Sequence, residues 1–294
     1  MTANPTNISP ADPVPAQSHY NRSVGARLII SGDRKMQSGL LDLLAALAAW
    51  RIWSALGLAD TTSRYRRTVI GPFWITIGLA IQALAIGFIF SGLMGVSVQD
   101  YLPYVALGLL VWQFFAGTVN ESAAAFSSAG SLIRNFPLPL GVHVLRAVWR
   151  NVLSLLHHAV FVVTIMPFTA IVLEPSALLL VPGLLLLVLN VTWLAVILSL
   201  VSVRFRDIPP MVANAMQMLF FVTPVIWSPE RLGGLFSLLT WNPAYHLIEL
   251  IRSPLLGIVP SLTSYAVAIG CAVFGWVCAL MFYGRYHWRV AYWV

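Results

Sequence analysis

Six apolar segments dominate this chain: Phe73 to Met94, Leu102 to Val119, Val152 to Leu173, Ala177 to Val203, Met211 to Trp227 and Leu262 to Tyr283. Each is close to the roughly 20 residues that a helix needs to cross a hydrocarbon core about 30 Å thick. Inside that core every backbone N–H and C=O must find a partner within the protein, so apolar runs of this length fold as helices. The sequence therefore predicts an all-α integral membrane protein with six transmembrane helices. Composition agrees, with 59% hydrophobic and 9% charged residues and a mean hydropathy of +0.83.

Charge placement gives the orientation. Of the 17 Lys and Arg, eight precede the first segment. Arg134, Arg146 and Arg150 lie between the second and third, Arg204 and Arg206 between the fourth and fifth, and Arg285 and Arg289 after the sixth. Only Arg231 and Arg252 fall on the other side. Basic residues collect in cytoplasmic loops, so both termini are expected in the cytosol. The net charge of +7 belongs to this pattern. Its cations are scattered and accompany no recognition module, so no nucleic-acid partner is expected.

Residues 1–36, rich in Pro, Ala, Ser and Asn, read as a disordered cytoplasmic tail. Residues 37–62 carry the run "GLLDLLAALAAWRIWSALGLA", long enough to cross, but Asp42 and Arg51 fall within it and basic residues flank both ends. It is expected as an amphipathic helix at the cytoplasmic interface, with Trp50 and Trp53 at headgroup level. Residues 63–294 form the membrane domain. Between its fifth and sixth segments, "RLGGLFSLLTW" and "AYHLIELIRSPLLG" are each too short to cross and are separated by Asn242 and Pro243. They read as an outer re-entrant or interfacial hairpin, on which Tyr245, His246, Glu249 and Arg252 have the spacing to share one helix face. Either a local ion pair or contact with a transported substrate fits that face.

Chemistry within the chain is sparse. A phosphate-binding P-loop needs Gly-Lys-Ser/Thr, yet the single lysine is Lys35, preceded by Arg34. No metalloprotease, serine-hydrolase or Cys/His metal pattern occurs, so no catalytic residue, metal or resident cofactor is assigned. Any work must draw on a partner's ATP and magnesium. Cys271 and Cys278 lie about 10 Å apart along one helix, too far for a disulfide. Glu121 sits at a helix end, facing cytoplasmic water or a channel, and His157 and His158 suit hydrogen bonding between packed helices. Asp60 and Asp207 are the nearest interfacial acids for an enzyme acting on polyprenyl phosphates, but neither belongs to an acidic pair. After the second segment, "SLIRNFP" is short and amphipathic, a shape that docks into a partner's groove. His143, Arg146 and Arg150 then follow at i, i+3 and i+7, on one stripe of the next helix.

Six pieces taken together, in this order and spacing, resemble the permease subunits of ABC exporters that move cell-envelope polysaccharides such as O-antigen and teichoic acid. They are "RYRRTVIGPFWITI", "SLIRNFPLP", "VRFRDIPPM", "TPVIWSPE", "NPAYHLIELIRSPLLG" and the terminal "RVAYWV". The resemblance implies a homodimer in the bacterial inner membrane, each subunit bound to an ATP-hydrolysing ABC subunit. It implies a coupling helix at Leu132, Ile133, Arg134 and Phe136, and outer gate helices carrying Tyr245, His246, Glu249 and Arg252. It further implies an aromatic-lined channel, for which Tyr101, Tyr104, Trp112, Phe114, Phe115, Phe220, Phe221 and Trp227 are the candidates. The substrate it implies is a polyprenyl-diphosphate-linked polysaccharide. Guanidinium groups match phosphate oxygens two at a time, so Arg64, Arg66 and Arg67, then Arg146 and Arg150, are the candidates for its diphosphate. The first three are topological anchors in any case. A related ABC permease for a drug, lipid or haem is the alternative.

Overall fold

The computed structural model describes residues 32–169, 171, 174–229 and 241–294, with side chains from residue 37 onward. Residues 1–31 of the expected tail and 231–240 of the expected outer hairpin lie outside this set. In chain order the helices are α1 (Gly32–Ala48), α2 (Trp50–Arg64), α3 (Phe73–Met94), α4 (Val98–Ala123), α5 (Ala125–Ser128) and α6 (Gly130–Asn135). Then come α7 (Gly141–Ile165), α8 (Leu180–Arg204), α9 (Ile208–Val222), α10 (Pro243–Leu255), α11 (Leu262–Tyr286) and α12 (Val290–Trp293). No strand occurs among the described residues.

Five of these helices, α3, α4, α7, α8 and α11, are long and apolar enough to cross a bilayer. Their ends follow local chemistry. Pro72, with its fixed φ, precedes α3, and Gly95 closes it at φ 64°, a left-handed cap that glycine adopts without steric cost. The Ser97 hydroxyl accepts the Asp100 N–H at the start of α4, and Ser261 does the same for Ser264 on α11. The central helix is α4, with 78% of its most apolar stretch buried by neighbours, against 17% for α3. Its residues Val105, Leu107, Leu109 and Phe114 pack with Leu187 and Val191 of α8 and Ile248 and Ile251 of α10.

The fifth crossing differs from expectation. Helix α9 has 15 residues, about 22 Å at 1.5 Å per residue, and stops at Val222. Residues 223–227 continue without helical structure towards the end of the molecule where α4 begins. An apolar run cannot distinguish these two conformations, since Val225, Ile226 and Trp227 suit either one. What makes the unwound stretch tolerable is its set of partners. Arg252, only 1% exposed, donates to the carbonyls of Pro224 and Val225, each at 3.0 Å. The Tyr101 hydroxyl donates to the Ile226 carbonyl, and that of Tyr104 to Trp227 at 3.0 Å. Each such carbonyl left bare would cost about 1–3 kcal/mol.

The expected interface helix is likewise not one helix. Helix α1 begins at Gly32, inside the stretch expected as tail, and its part from Gln37 to Ala48 meets α2 with a bend of 66°. Both halves are anchored to α7, at different points, and α1 also to α11. On α1, Asp42 accepts the N–H groups of Leu140 and Gly141 at the start of α7, each at 3.1 Å, and the Tyr283 hydroxyl of α11 at 2.5 Å. A carboxylate at a helix N-terminus offsets the helix dipole, which explains an acid in so apolar a run. Gly39 lets α1 approach the Gly284 backbone of α11, where an added Cβ would lie 2.6 Å from its Cα. On α2, Trp53 instead meets Trp149 of α7 edge to face at 5.7 Å.

Gly108 on α4 sits where a Cβ would collide with the Arg252 guanidinium and the Val225 carbonyl, whereas Gly92 on α3 faces open space. Replacing Gly108 by Ala is therefore expected to destabilise the folded protein by about 1–3 kcal/mol, and Gly92→Ala to leave it unchanged or slightly more stable. Thermal unfolding of the two variants in lipid nanodiscs measures this difference.

Candidate functional site

The chain's arginines concentrate their chemistry at the end of the bundle where α2 and α4 finish and α7 begins. Asp60 of α2 takes a bidentate pair from Arg146 of α7, with one bond at 2.6 Å from Nε and a second from the terminal nitrogen. Arg150, one turn further along α7, donates to Asp60 at 2.9 Å and to Glu121 of α4 at 3.1 and 3.0 Å. Glu121 also receives Arg64 at 3.2 Å and Asn151 at 3.0 Å. Three guanidinium groups thus share two carboxylates, leaving one positive charge in excess. Burial alone would raise the Asp60 carboxyl, but hydrogen bonding and charge from Arg146, with Arg150 behind it, outweigh burial and hold it below its ordinary value of 3.8.

Arg146 and Arg150 are engaged in this network, and Arg64 is tied to it while 58% exposed. Arg66 and Arg67 stand exposed in the turn that follows α2, with Arg67 at a left-handed φ of 78°. The five candidate cations therefore form a paired inner set and an open outer pair.

The short helix expected from "SLIRNFP" is α6. Leu132 and Ile133 are half-buried, Arg134 is exposed and donates to the Val294 carbonyl at 3.3 Å, and Phe136 is 55% exposed just beyond the helix end. This places α6 beside the C-terminal segment, with an apolar side chain presented outward.

The aromatic candidates fall into groups between the opposite end of the bundle and the middle of α4. Tyr101 and Tyr104 are stacked 6.3 Å apart and hold the unwound segment through their hydroxyls. Trp112 is buried and lies 5.8 Å from Phe115 and 5.5 Å from Phe220 of α9. Phe220 in turn meets Phe221, which is 64% exposed, and the Trp227 indole donates to the Phe221 carbonyl at 3.2 Å. Phe114, by contrast, is buried in the core around α4. Helix α9 has no buried residue of its own.

The outer-gate candidates all lie on α10, which starts with Asn242 as cap and Pro243 as first residue. His246 bonds the Ser264 hydroxyl of α11 at 2.9 Å, and Tyr245 lies beside it. Arg252 pairs with Glu249 at 3.2 Å and lies 3.8 Å from the centre of the Tyr104 ring. The ion pair anticipated from spacing is present, but Arg252 has the further task of holding the unwound segment. Nothing local in the sequence indicates that task, since the bonded carbonyls lie 27 and 28 residues away. The Asp60 network was hidden for the same reason. A usable signal was charge balance: in an apolar chain with ten acidic residues, an acid beside a helix end needs a cation.

A family profile described as "ABC-2 type transporter" matches residues 52–256. Two proteins of Klebsiella pneumoniae, each named O-antigen export system permease protein RfbA, are 25% identical over 194 residues, covering 64% of this chain and 74% of theirs. A protein of the same name from Myxococcus xanthus is 25% identical over 174 residues, covering 57% of this chain and 65% of its own length.

Asp60→Asn would leave Arg146 and Arg150 without their shared counter-charge, an expected loss of about 1–3 kcal/mol in unfolding measurements near neutral pH. The balanced double variant Asp60→Asn/Arg146→Gln should lose less than the two single losses combined. Because the folded carboxyl titrates below its ordinary value, its contribution is present above that value and is lost as pH falls through the folded one. Stability of the wild type should thus show this loss only under acid, in a step that Asp60→Asn lacks.

Proposed function

The chain belongs to the ABC-2 type transporter family, and from that premise we propose that it is the membrane subunit of an ATP-driven exporter of a cell-envelope polysaccharide. The observation that carries this reading is the agreement of three relatives, each named as an O-antigen export permease, with a family match running from α2 through α10. Under this reading the cargo is a glycan on a polyprenyl diphosphate, the membrane is the bacterial inner membrane, and both termini face the cytosol. Residues 37–62 lie along its inner surface. Exposed Leu40, Leu41, Leu44, Leu47 and Trp50 support that placement, with the Arg51 guanidinium 5.5 Å from the Trp50 ring.

A separate ABC subunit supplies ATP hydrolysis and its magnesium. It docks on α6, where Leu132, Ile133, Arg134 and Phe136 transmit its motion to α4 and α7. The exposure of Phe136 and the attachment of α6 between those two helices support this role. Two copies of the chain pair to enclose the channel. Helix α9, which among the described residues packs mainly along α4 and α8 and keeps Phe221 outward, is the element best placed to face the second copy. Aromatic side chains there offer sugar rings flat apolar surfaces without strong binding. Arg64, Arg66 and Arg67 attract the diphosphate at the inner surface, and Arg66 and Arg67 are the cations free to do so without breaking the inner network. Tyr245, His246, Glu249 and Arg252 keep the outer end of the path in shape.

Deleting the gene should cause a lipid-linked glycan to accumulate inside the cell, and wild-type chain should clear it. Normal glycan export in the deletion strain would contradict the reading. Replacing Leu132, Ile133 and Phe136 together by Ser should leave insertion intact but abolish the stimulation of the partner's ATP hydrolysis in reconstituted vesicles. Full stimulation would remove α6 from the coupling role.

A further inference from the structure

Between the start of α7 and the short helices α5 and α6 lies a cavity of about 100 Å³, lined by Ala125, Ser128, Ala129, His143, Arg146 and Arg150. His143 is 2% exposed, and neither ring nitrogen has a hydrogen-bond partner among the described residues. A buried imidazole with two unpaired nitrogens is costly, and such groups in folded proteins are normally satisfied by protein, water or ligand. A single water needs only about 10–15 Å³ of such space, so the cavity accommodates a larger group. Its lining contains no carboxylate. It offers the His143 imidazole, the Ser128 hydroxyl, which otherwise donates to the Ala125 carbonyl at 3.2 Å, and the Arg146 guanidinium, whose Nη1 lies outside its bonds to Asp60; Arg150 has all three nitrogens on Asp60 and Glu121 and contributes charge alone. An imidazole, a hydroxyl and one guanidinium edge around a space of this size suit a small tetrahedral oxyanion, and the volume excludes a sugar ring or nucleoside.

We propose that His143, Ser128 and the Nη1 edge of Arg146, with the charge of Arg150 behind them, form a pocket for one phosphate group. It lies on the flank of α7 next to the segment that carries α6, so an occupied pocket would tie a phosphate to the helix read above as the coupling element. That phosphate has two possible sources, a lipid-linked diphosphate or free phosphate. The first source rests on the substrate reading given above; the pocket itself does not.

The test uses the full chain in maltoside micelles, which carry no phosphate, with histidine nitrogens labelled with ¹⁵N and the His143 signals identified by their loss in His143→Gln. Inorganic phosphate and geranylgeranyl diphosphate are titrated separately. A saturable shift of the His143 signals with either probe supports the pocket: a response to the diphosphate alone assigns a lipid source, to inorganic phosphate alone a free one, and to both a shared chemistry. No response to either probe overturns the proposal, and because this readout uses the wild type it does not depend on a variant folding. Calorimetry should show about tenfold weaker binding for Ser128→Ala or His143→Phe, the loss of one good hydrogen bond. Unchanged affinity in both would also overturn it. The double change Arg66 and Arg67 to Gln, which leaves the Arg64–Glu121 pair in place, separates the two readings. If only the surface headgroup reading fails, this double change leaves diphosphate capture intact while His143 still responds. If only the pocket fails, capture drops while His143 stays silent in every titration.

Discussion

The fold depends on how five residues of non-helical backbone are satisfied inside an otherwise helical membrane bundle. Lipid offers no hydrogen bonds, so the carbonyls of residues 224–227 must be met by protein. Arg252, Tyr101 and Tyr104 meet them, and each of those side chains is fixed in turn. Glu249 balances Arg252, the Tyr104 ring flanks it, and glycine at 108 leaves room for its head beside α4. Asn242 adds a link by capping α10 while donating to the Thr223 hydroxyl at 3.0 Å. A buried guanidinium is expensive to desolvate, and here it is kept because two carbonyls, a carboxylate and an aromatic face together repay that cost. Helix α10 is consequently wedged among α4, α8 and α11, and the outer half of the bundle is organised around it.

The inner half is organised by charge. Asp42 ties α1 to the first turn of α7 and to α11, and Asp60 and Glu121 tie α2 and α4 to the Arg146 and Arg150 stripe of the same helix. Three of the chain's ten acidic residues thus converge on α7. The first turns of α7 are therefore fixed to both halves of the α1–α2 elbow, and the short α5 and α6 segments join α4 to α7.

How much of this was legible in the sequence varies with the kind of interaction. Helix α3 has the bounds read from hydropathy, Phe73 to Met94, because Pro72 and Gly95 punctuate the run chemically as well as by polarity. The fifth segment runs on to Trp227 by hydropathy, which measures burial and not conformation, whereas Pro224 is the local signal that the helix has ended. The bend at Ala49 leaves no local mark, because the contacts on either side of it, through Asp42 and Trp53, join positions nearly a hundred or more apart. The His143, Arg146 and Arg150 stripe was visible as helical spacing, yet its pairing with Asp60 and Glu121, and the cavity beside His143, exist only once α2, α4 and α7 are packed together.

Placing the chain as a conduit powered by another subunit requires that the 15-residue α9 and the unwound stretch after it together complete a crossing, so that six passages return the chain to its starting side. Single cysteines at Ser261 and Tyr292, in a background lacking Cys271 and Cys278, test this with a membrane-impermeant maleimide. The account predicts that the position 261 cysteine reacts on intact cells and the position 292 cysteine only after permeabilisation. Labelling of both from the same side, or in the reverse order, would contradict it.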